Sequence, residues 1–520
     1  MKRFNTTGTC YPDQHYMVDV TQRLQVIRQM IGRGDYFCIT RGRQYGKTTT
    51  LNALVERYSD EYSFFFISFE GLGDAAFRTE ETLAYTFVSL LNFQMEMSVQ
   101  TSGFSLDIKH LVKQALEQYS GEMPTVDLSM LISRICSLNP KPIVLIIDEV
   151  DQAGNYDSFV KFLGLLRNKY LARKQYPTFL SVILAGVYDV RNLKLKIRSE
   201  EDHQYNSPWN IAVPFDVDMS LSKEGIAGML SDYAQDHGIA MDVEYLAQLL
   251  YDYTGGYPFL VSRLCQIMDD SALSWDKTGF LKAVNVLQNE QNTLFDDLVK
   301  KIQQFPELRK LFVDILFAGI KRSFTAYDRY MQLAEMFCFV RNDNGTAVIA
   351  NRILETFLYN LFLAEEKNSA LYSTGASEKS QFIVDGKLNM RHLLERFVEH
   401  YNEIYADRDS QFLERNGRQL FLLYLRPIIN GVGNYYIEAQ TRNETRTDVI
   451  VDYMGQQYVL EMKIWHGNAY NEKGEKQLAE YLEYFHLDKG YLVSFCFNQS
   501  KQTGVTDRLI EGKQIIEAIV

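Results

Sequence analysis

Cysteine is sparse and wrongly spaced for metal. Cys10, Cys38, Cys136, Cys265, Cys338 and Cys496 include no CxxC pair, which excludes a zinc ribbon. Several sit in apolar runs, where a thiol behaves as a small core residue, and the pattern fits a reducing compartment. The eight histidines show no HExxH or HxH spacing, there is no Gly-x-Ser-x-Gly elbow, and no cysteine has a triad context. Ten prolines and 31 glycines in 520 residues exclude a collagen-like or low-complexity chain. No apolar run approaches the roughly 20 residues of a membrane span. The start, Met1-Lys2-Arg3-Phe4-Asn5-Thr6, lacks the apolar core of a secretory signal. The expectation is a soluble cytoplasmic protein with no membrane partner. Base is also in deficit: 54 Lys and Arg against 66 Asp and Glu give a net charge of −12. That excludes a histone-like binder working by bulk charge, but not a nucleic-acid enzyme with one local basic surface. A hydrophobic content of 46% is too high for disorder, and the length predicts three or four domains.

What is present is an alternation of strand-like and helix-like runs. Residues 1–215 read as α/β, with strands at Tyr36–Thr40, Ser63–Phe69, Ile143–Asp148, Phe179–Gly186 and Asn210–Pro214. Residues 216–290 read as helices, and 291–365 as helices followed by a hairpin, Phe337–Arg341 and Thr346–Ala350, around a strong Asn-Gly turn signal. Residues 366–380 are small and polar, the composition of a linker. Residues 381–520 form a second α/β region, with helices near Leu388–Tyr405 and Arg418–Leu425.

The first chemical signal is a strand running into Arg41-Gly42-Arg43-Gln44-Tyr45-Gly46-Lys47-Thr48-Thr49 and then a helix. That is the context of a phosphate-binding loop: backbone N–H groups and the helix dipole attract phosphate, Lys47 reaches the β/γ-phosphates, and the Thr48 hydroxyl holds Mg²⁺. One position departs from the usual spacing, with Arg41 where glycine is expected and Gly42 one residue late. The alternative is a tight turn that happens to end in Gly-Lys-Thr. A second signal supports the first. Ile143–Asp148 continues into Glu149-Val150-Asp151, a doubly buried strand delivering carboxylates to its carboxyl end, where ligands bind in parallel sheets. Asp148 is expected to orient Mg²⁺ and Glu149 to polarise the attacking water, on ATP or GTP.

These stretches resemble the AAA-like ATPases of a STAND-related bacterial group, in which an arginine-rich compressed loop replaces the ordinary Walker A. The resemblance implies ATP, the strand Phe179–Gly186 lying between the loop strand and the acidic strand, a helical lid over 216–290 and a winged helix over 291–365. At the tip Val187-Tyr188-Asp189-Val190-Arg191 no sensor residue is assigned. Gly256 and Pro258 resemble a Gly-x-Pro turn near the base and ribose; a plain helix–helix turn is the alternative. Acids are not outnumbered by bases in 291–365, which favours packing or regulation over DNA binding by the winged helix.

The third signal is Asp448 at the start of a strand, followed after a Met454-Gly455 turn by Glu461 and Lys463 at i and i+2 on one face of the next. Antiparallel pairing brings the three together: two carboxylates for Mg²⁺ and a lysine to position a water. An ordinary charged hairpin is the bland alternative. Downstream, Gln477 and Tyr481 share a helical face at i and i+4. The order resembles the PD-(D/E)XK nuclease superfamily over residues 381–520. Asp448 and the Glu461/Lys463 pair match its motif, Gln477 and Tyr481 match its Gln-x-x-x-Tyr element, and Thr447 stands where the superfamily name has proline. Glu414 is implied as a further metal carboxylate, with Glu395 and Glu403 as rivals. His466 reads as a surface loop residue.

The expected fold is α/β: a P-loop NTPase parallel sheet with helical lid and winged helix, joined to a C-terminal restriction-endonuclease-like domain. The expected function is an ATP-binding ATPase gating Mg²⁺-dependent DNA hydrolysis, in bacterial defence or mobile-element biology. The alternative is a signalling switch whose nuclease fold is a binding platform. Homo-oligomerisation is left open.

Overall fold

The computed structural model describes residues 2–97, 104–187, 209–317, 322–325, 327–365, 370–405, 414–429, 433–436, 449–464, 478–483, 485–496 and 502–520. The tip residues 188–191, Asp448, His466 and Gln477 lie outside them. The chain divides into two compact units, Thr7–Ser220 and Met1–Thr6 with Leu221–Val520. Among the described residues no helix is long and apolar enough to cross a membrane.

The first unit is built on four parallel strands, β1 (Phe37–Thr40), β2 (Ser63–Ser68), β3 (Ile143–Asp148) and β4 (Ser181–Gly186), in the order β1-β4-β3-β2. β4 therefore lies between the loop strand and the acidic strand. The runs are apolar throughout because both faces are covered. Phe37, Ile39, Val144, Ile146 and Ile183 join one core with α1 (Thr21–Gly32) and α2 (Lys47–Tyr58). Cys38, Leu145, Ile147, Val182 and Leu184 join the other with α3 (Glu80–Met97), α4 (Leu106–Gln118), α5 (Thr125–Leu138) and α6 (Asp157–Leu171). The strand expected at Asn210–Pro214 is absent as a ladder: Val213 alone bridges Phe37, its N–H donating to the Tyr36 carbonyl at 2.9 Å.

The second unit begins with four helices, α7 (Lys223–His237), α8 (Val243–Thr254), α9 (Pro258–Asp270) and α10 (Lys277–Asn289). Next come α11 (Thr293–Gln304), α12 (Pro306–Phe317), α13 (Arg329–Met336) and the hairpin β5 (Val340–Asp343) and β6 (Thr346–Ile349). Its turn residues Asn344 and Gly345 both take positive φ, 48° and 84°, as a type I′ turn requires. After α14 (Arg352–Glu365) the expected linker is instead structured. Residues 370–378 form α15 (Ala370–Glu378), packed on α17 (Glu414–Ile429). A Cβ at Gly375 would stand 2.2 Å from the Tyr424 carbonyl oxygen, so at this position of the stretch read as linker a glycine lets two helices touch. Glu378 then bonds Arg396, His400 and Tyr424, tying α15 also to α16 (Met390–Tyr405).

After the two-residue strands β7 (Ile383–Val384) and β8 (Lys387–Leu388), a mixed six-stranded sheet closes the chain. Its strands are β9 (Gly433–Tyr436), β10 (Val449–Tyr453), β11 (Gln456–Ile464), β12 (Lys489–Phe495), β13 (Gly504–Ile510) and β14 (Lys513–Ile519), in the order β13-β14-β12-β11-β10-β9. β9, β10 and β11 are antiparallel neighbours; β11, β12 and β14 run parallel.

The turn between α8 and α9 combines close packing with a left-handed backbone. Gly256 has φ +71°, and a Cβ there would lie 2.2 Å from the Leu221 carbonyl oxygen. Gly256→Ala is expected to cost about 2–4 kcal/mol from left-handed strain plus overpacking. Gly345→Ala, where nothing lies within 4 Å of the added Cβ, carries only the strain of about 1–2 kcal/mol. Urea denaturation of both variants checks the ranking; equal losses would contradict it.

Candidate functional site

The loop between β1 and α2 owes its shape to two left-handed residues, Gln44 at φ 57° and Gly46 at φ 75°. Gly42 is absent from the positive-φ glycines, so the irregular spacing moves the unusual backbone to Gln44 rather than removing it. α2 starts on Gly46 with no side-chain cap and no acid in its first turn. Its first N–H groups and positive dipole end therefore face the loop, as an anion site needs. Lys47, 5% exposed, donates from Nζ to the carbonyl oxygens of Arg41 and Gly42 at 3.1 and 3.0 Å. Arg41 bonds the Thr40 and Val217 carbonyls; Arg43 and Gln44 are exposed and Tyr45 is half-buried. The Thr49 hydroxyl accepts from the Cys10 N–H at 3.2 Å, pinning the N-terminal segment to the same helix turn.

The acidic end of β3 meets this loop. Thr48 Oγ1 donates to Asp148 Oδ2 at 2.6 Å, and Asp148 Oδ1 accepts from the Glu149 N–H at 2.9 Å. A hydroxyl beside a carboxylate is a hard-oxygen pair of the kind Mg²⁺ takes along with waters and phosphate oxygens. Among the described residues no cluster of three or more His, Cys, Asp or Glu side chains forms a metal cage, which a Mg²⁺ site of this type does not require. Glu149 sits at φ 51°, in the left-handed region that is strained for a residue with a Cβ. Burial pushes its carboxyl above the ordinary range; Asp148, Asp151 and Glu70 act in the same direction, and Lys47 opposes them. Asp151 was quoted in the sequence run without a role. It accepts from the Val187 N–H, and both its oxygens lie 3.0 Å from where a Gly186 Cβ would be. It thus fastens the acidic loop to the tip of β4, a contact legible only once the strand order is known.

In the second unit Glu461 and Lys463 are 6% and 4% exposed, on one face of β11. The described register of β10 on β11 ends at Val449 opposite Leu460, one residue short of the expected Asp448–Glu461 pair. Across β12, Glu461 aligns with Leu492 and Lys463 with Ser494; Leu492 in turn aligns with Glu517. Glu517, which sequence reading missed, is fully buried, bonded by Ser494 Oγ at 2.8 Å and paired with Arg508 at 2.9 Å. Two strand spacings, roughly 9–10 Å, separate its backbone from that of Glu461. Tyr481, 5% exposed, belongs to a helical run over 478–483. A Cβ at Gly490 would meet Leu482 and Leu478 at 2.8 and 3.2 Å, so this run covers the face that carries Glu461 and Lys463. Glu414 is the first residue of α17, whose Gly417 meets the Phe495 ring on the opposite face. The rivals Glu395 and Glu403 are engaged on α16 by Arg391 at 3.0 Å and His400 at 3.4 Å. Gly256 and Pro258 form the α8–α9 turn in this second unit.

A family model described as an AAA-like domain matches residues 9–360, more than half of the chain. No protein of curated function matches it. Among solved structures, a Walker-type ATPase of Pyrococcus abyssi is 13% identical, with a TM-score of 0.48 over 68% of this chain and 99% of that one. The ORC2 protein of Aeropyrum pernix, in its ADPNP–ADP complexes, is 16% identical, with a TM-score of 0.33 over 67% and 95%. The ORC1 protein of Aeropyrum pernix, in complex with DNA, is 11% identical, with a TM-score of 0.29 over 67% and 94%.

The raised Glu149 carboxyl carries a stability consequence. Folding retains a proton that the unfolded chain has released between the ordinary glutamate value of 4.5 and the raised one. Stability is therefore full below 4.5 and is lost as pH rises through the raised value. Glu149→Gln, which cannot ionise, is expected to melt above wild type at neutral pH, with the gap closing toward pH 4. Thermal melts across pH check this; a gap constant with pH would contradict it.

Proposed function

The chain belongs to the AAA-like domain family, and from that premise we propose that it is an ATP-binding P-loop ATPase whose nucleotide state gates a Mg²⁺-dependent DNA nuclease at its C-terminal sheet. The observation that carries the ATPase half is the 2.6 Å contact between Thr48 and Asp148, which joins loop and acidic strand at the place where a nucleotide's phosphates would lie. The N–H groups of Gly46, Lys47, Thr48 and Thr49 bind phosphate oxygens. Lys47 exchanges its carbonyl partners for the β/γ-phosphates, and Arg43, Gln44 and Tyr45 flank the entrance. Thr48 and Asp148 would hold Mg²⁺, which when bound draws charge from the phosphates. Glu149 accepts a hydrogen bond from the attacking water; burial that raises its carboxyl also makes it a stronger base. Gly256 and Pro258 would border the nucleotide's base and ribose.

The nuclease half rests on Glu461 and Lys463, an acid and a base buried together on one strand face. Asp448 and Glu461 would hold Mg²⁺; the ion there would stabilise charge on the phosphodiester. Lys463 positions the attacking water, and Gln477 and Tyr481 orient the substrate backbone. The helices and hairpin of 291–350 would act as a winged helix for packing or regulation. A second reading is favoured by the same burial: a site closed to solvent suits a sheet that serves as a binding platform in a nucleotide-driven switch.

Lys47→Ala is expected to abolish ATP binding, read by nucleotide titration; unchanged affinity would refute the ATP site. Lys463→Ala is expected to lower metal-dependent DNA cleavage by about 10²-fold or more while ATP hydrolysis continues. Cleavage of plasmid, linear and single-stranded DNA, with and without ATP, separates the two readings, and cleavage surviving Lys463→Ala removes the nuclease.

A further inference from the structure

The AAA-like match ends at residue 360, and the six-stranded sheet lies beyond it. The two regions meet at one buried polar node. Asp452 on β10 and Gln457 on β11 are opposite each other in register. Tyr253, in the last turn of α8, reaches both: its hydroxyl donates to Asp452 Oδ2 at 3.3 Å and accepts from Gln457 Nε2 at 3.1 Å. Tyr253, Asp452 and Gln457 are 0%, 6% and 8% exposed. Two cations stand by. Lys277 of α10 feels the charge of Asp452 and donates to the Phe485 carbonyl at 3.2 Å, and the Arg352 guanidinium lies 5.4 Å from the centre of the Tyr253 ring. A buried carboxylate is tolerated only with such partners. At the hairpin's end, Gly455 lies close against Thr278, where a Cβ would come within 2.8 Å of Thr278 Cγ2.

Position gives this node its leverage. Strand alternation puts Gln457 on the same face as Glu461 and Lys463. Four residues at about 3.3 Å each separate Gln457 from Glu461, roughly 13 Å, so Tyr253 acts through the strand and not on reacting atoms. Tyr253 also stands two residues before Gly255, whose added Cβ would lie 3.1 Å from the Ala350 carbonyl oxygen, and three before Gly256, seated on Leu221.

We propose that Tyr253 is a positioning residue through which the AAA-like region braces the β10–β11 hairpin and so fixes Glu461 and Lys463. The bracing is a property of the fold, and its catalytic effect rests on the nuclease reading above. Tyr253→Phe keeps the ring against Phe280 and Arg352 and deletes only the hydroxyl. In the full chain, amide exchange over 449–464 should quicken by about tenfold, the worth of one such hydrogen-bonded bridge, with exchange in β1–β4 unchanged. Gln457→Met should produce a smaller change, because it leaves the bond from Tyr253 to Asp452 in place, and the double variant little more than Tyr253→Phe alone. In Mg²⁺-dependent DNA cleavage, Tyr253→Phe should lower kcat by about tenfold and leave KM unchanged. Unchanged exchange over 449–464, or a uniform quickening across the chain, overturns the proposal whether or not the wild type cleaves. A wild type that fails to cleave DNA removes the nuclease reading alone, and exchange still decides the brace. Quickened hairpin exchange with kcat intact in a cleaving enzyme overturns the positioning role.

Discussion

The contact between Thr48 and Asp148 organises everything around the first unit's sheet. A strand buried on both faces hides every side chain except those at its carboxyl end, where polar groups emerge. β3 is such a strand, and it ends in a buried carboxylate pressed against the helix that carries the phosphate loop. The loop, the left-handed Glu149 and the Asp151 tie to β4 all follow from the need to finish that buried strand without stranding its acids. Strain at Glu149 is sustained because strand and loop together leave the backbone no other route.

Much of this was legible in the residues. Gly46-Lys47-Thr48 before a helix, and five branched apolar residues before Asp148, are local patterns, and the strand order came with the family resemblance they carry. Reading failed where one composition has two physical uses. Ser373 to Ser377 are small and polar, which suits a linker and equally suits a helix pressed on another; only the partner, α17, distinguishes them. Asn210 to Pro214 carries strand-forming residues, but only Val213 pairs with β1, as an isolated bridge. Glu517 gave no signal because its meaning lies in register, set by strands far apart in sequence. Asp448 and Gln477, the two motif residues outside the described positions, leave the C-terminal reading resting on Glu461, Lys463 and Tyr481.

The phosphate loop and the C-terminal sheet face are built on different principles. The loop presents backbone groups, so it tolerates an irregular glycine spacing as long as some residue accepts the left-handed turn, and Gln44 does. The face of β11 that carries Glu461 and Lys463 presents side chains, so their placement depends on strand register.

The packing of α15 bears on how such chains are assembled. Composition places a seam at residues 366–380, the natural spot for a module to be swapped or appended. Gly375 lies against the Tyr424 backbone, and Glu378 satisfies three partners on the helices beyond it. Any exchange of C-terminal cargo at this position must carry that helix along. The inheritable block therefore begins before the helix, and the true joint of the polypeptide lies upstream of where its amino-acid content alone would cut it.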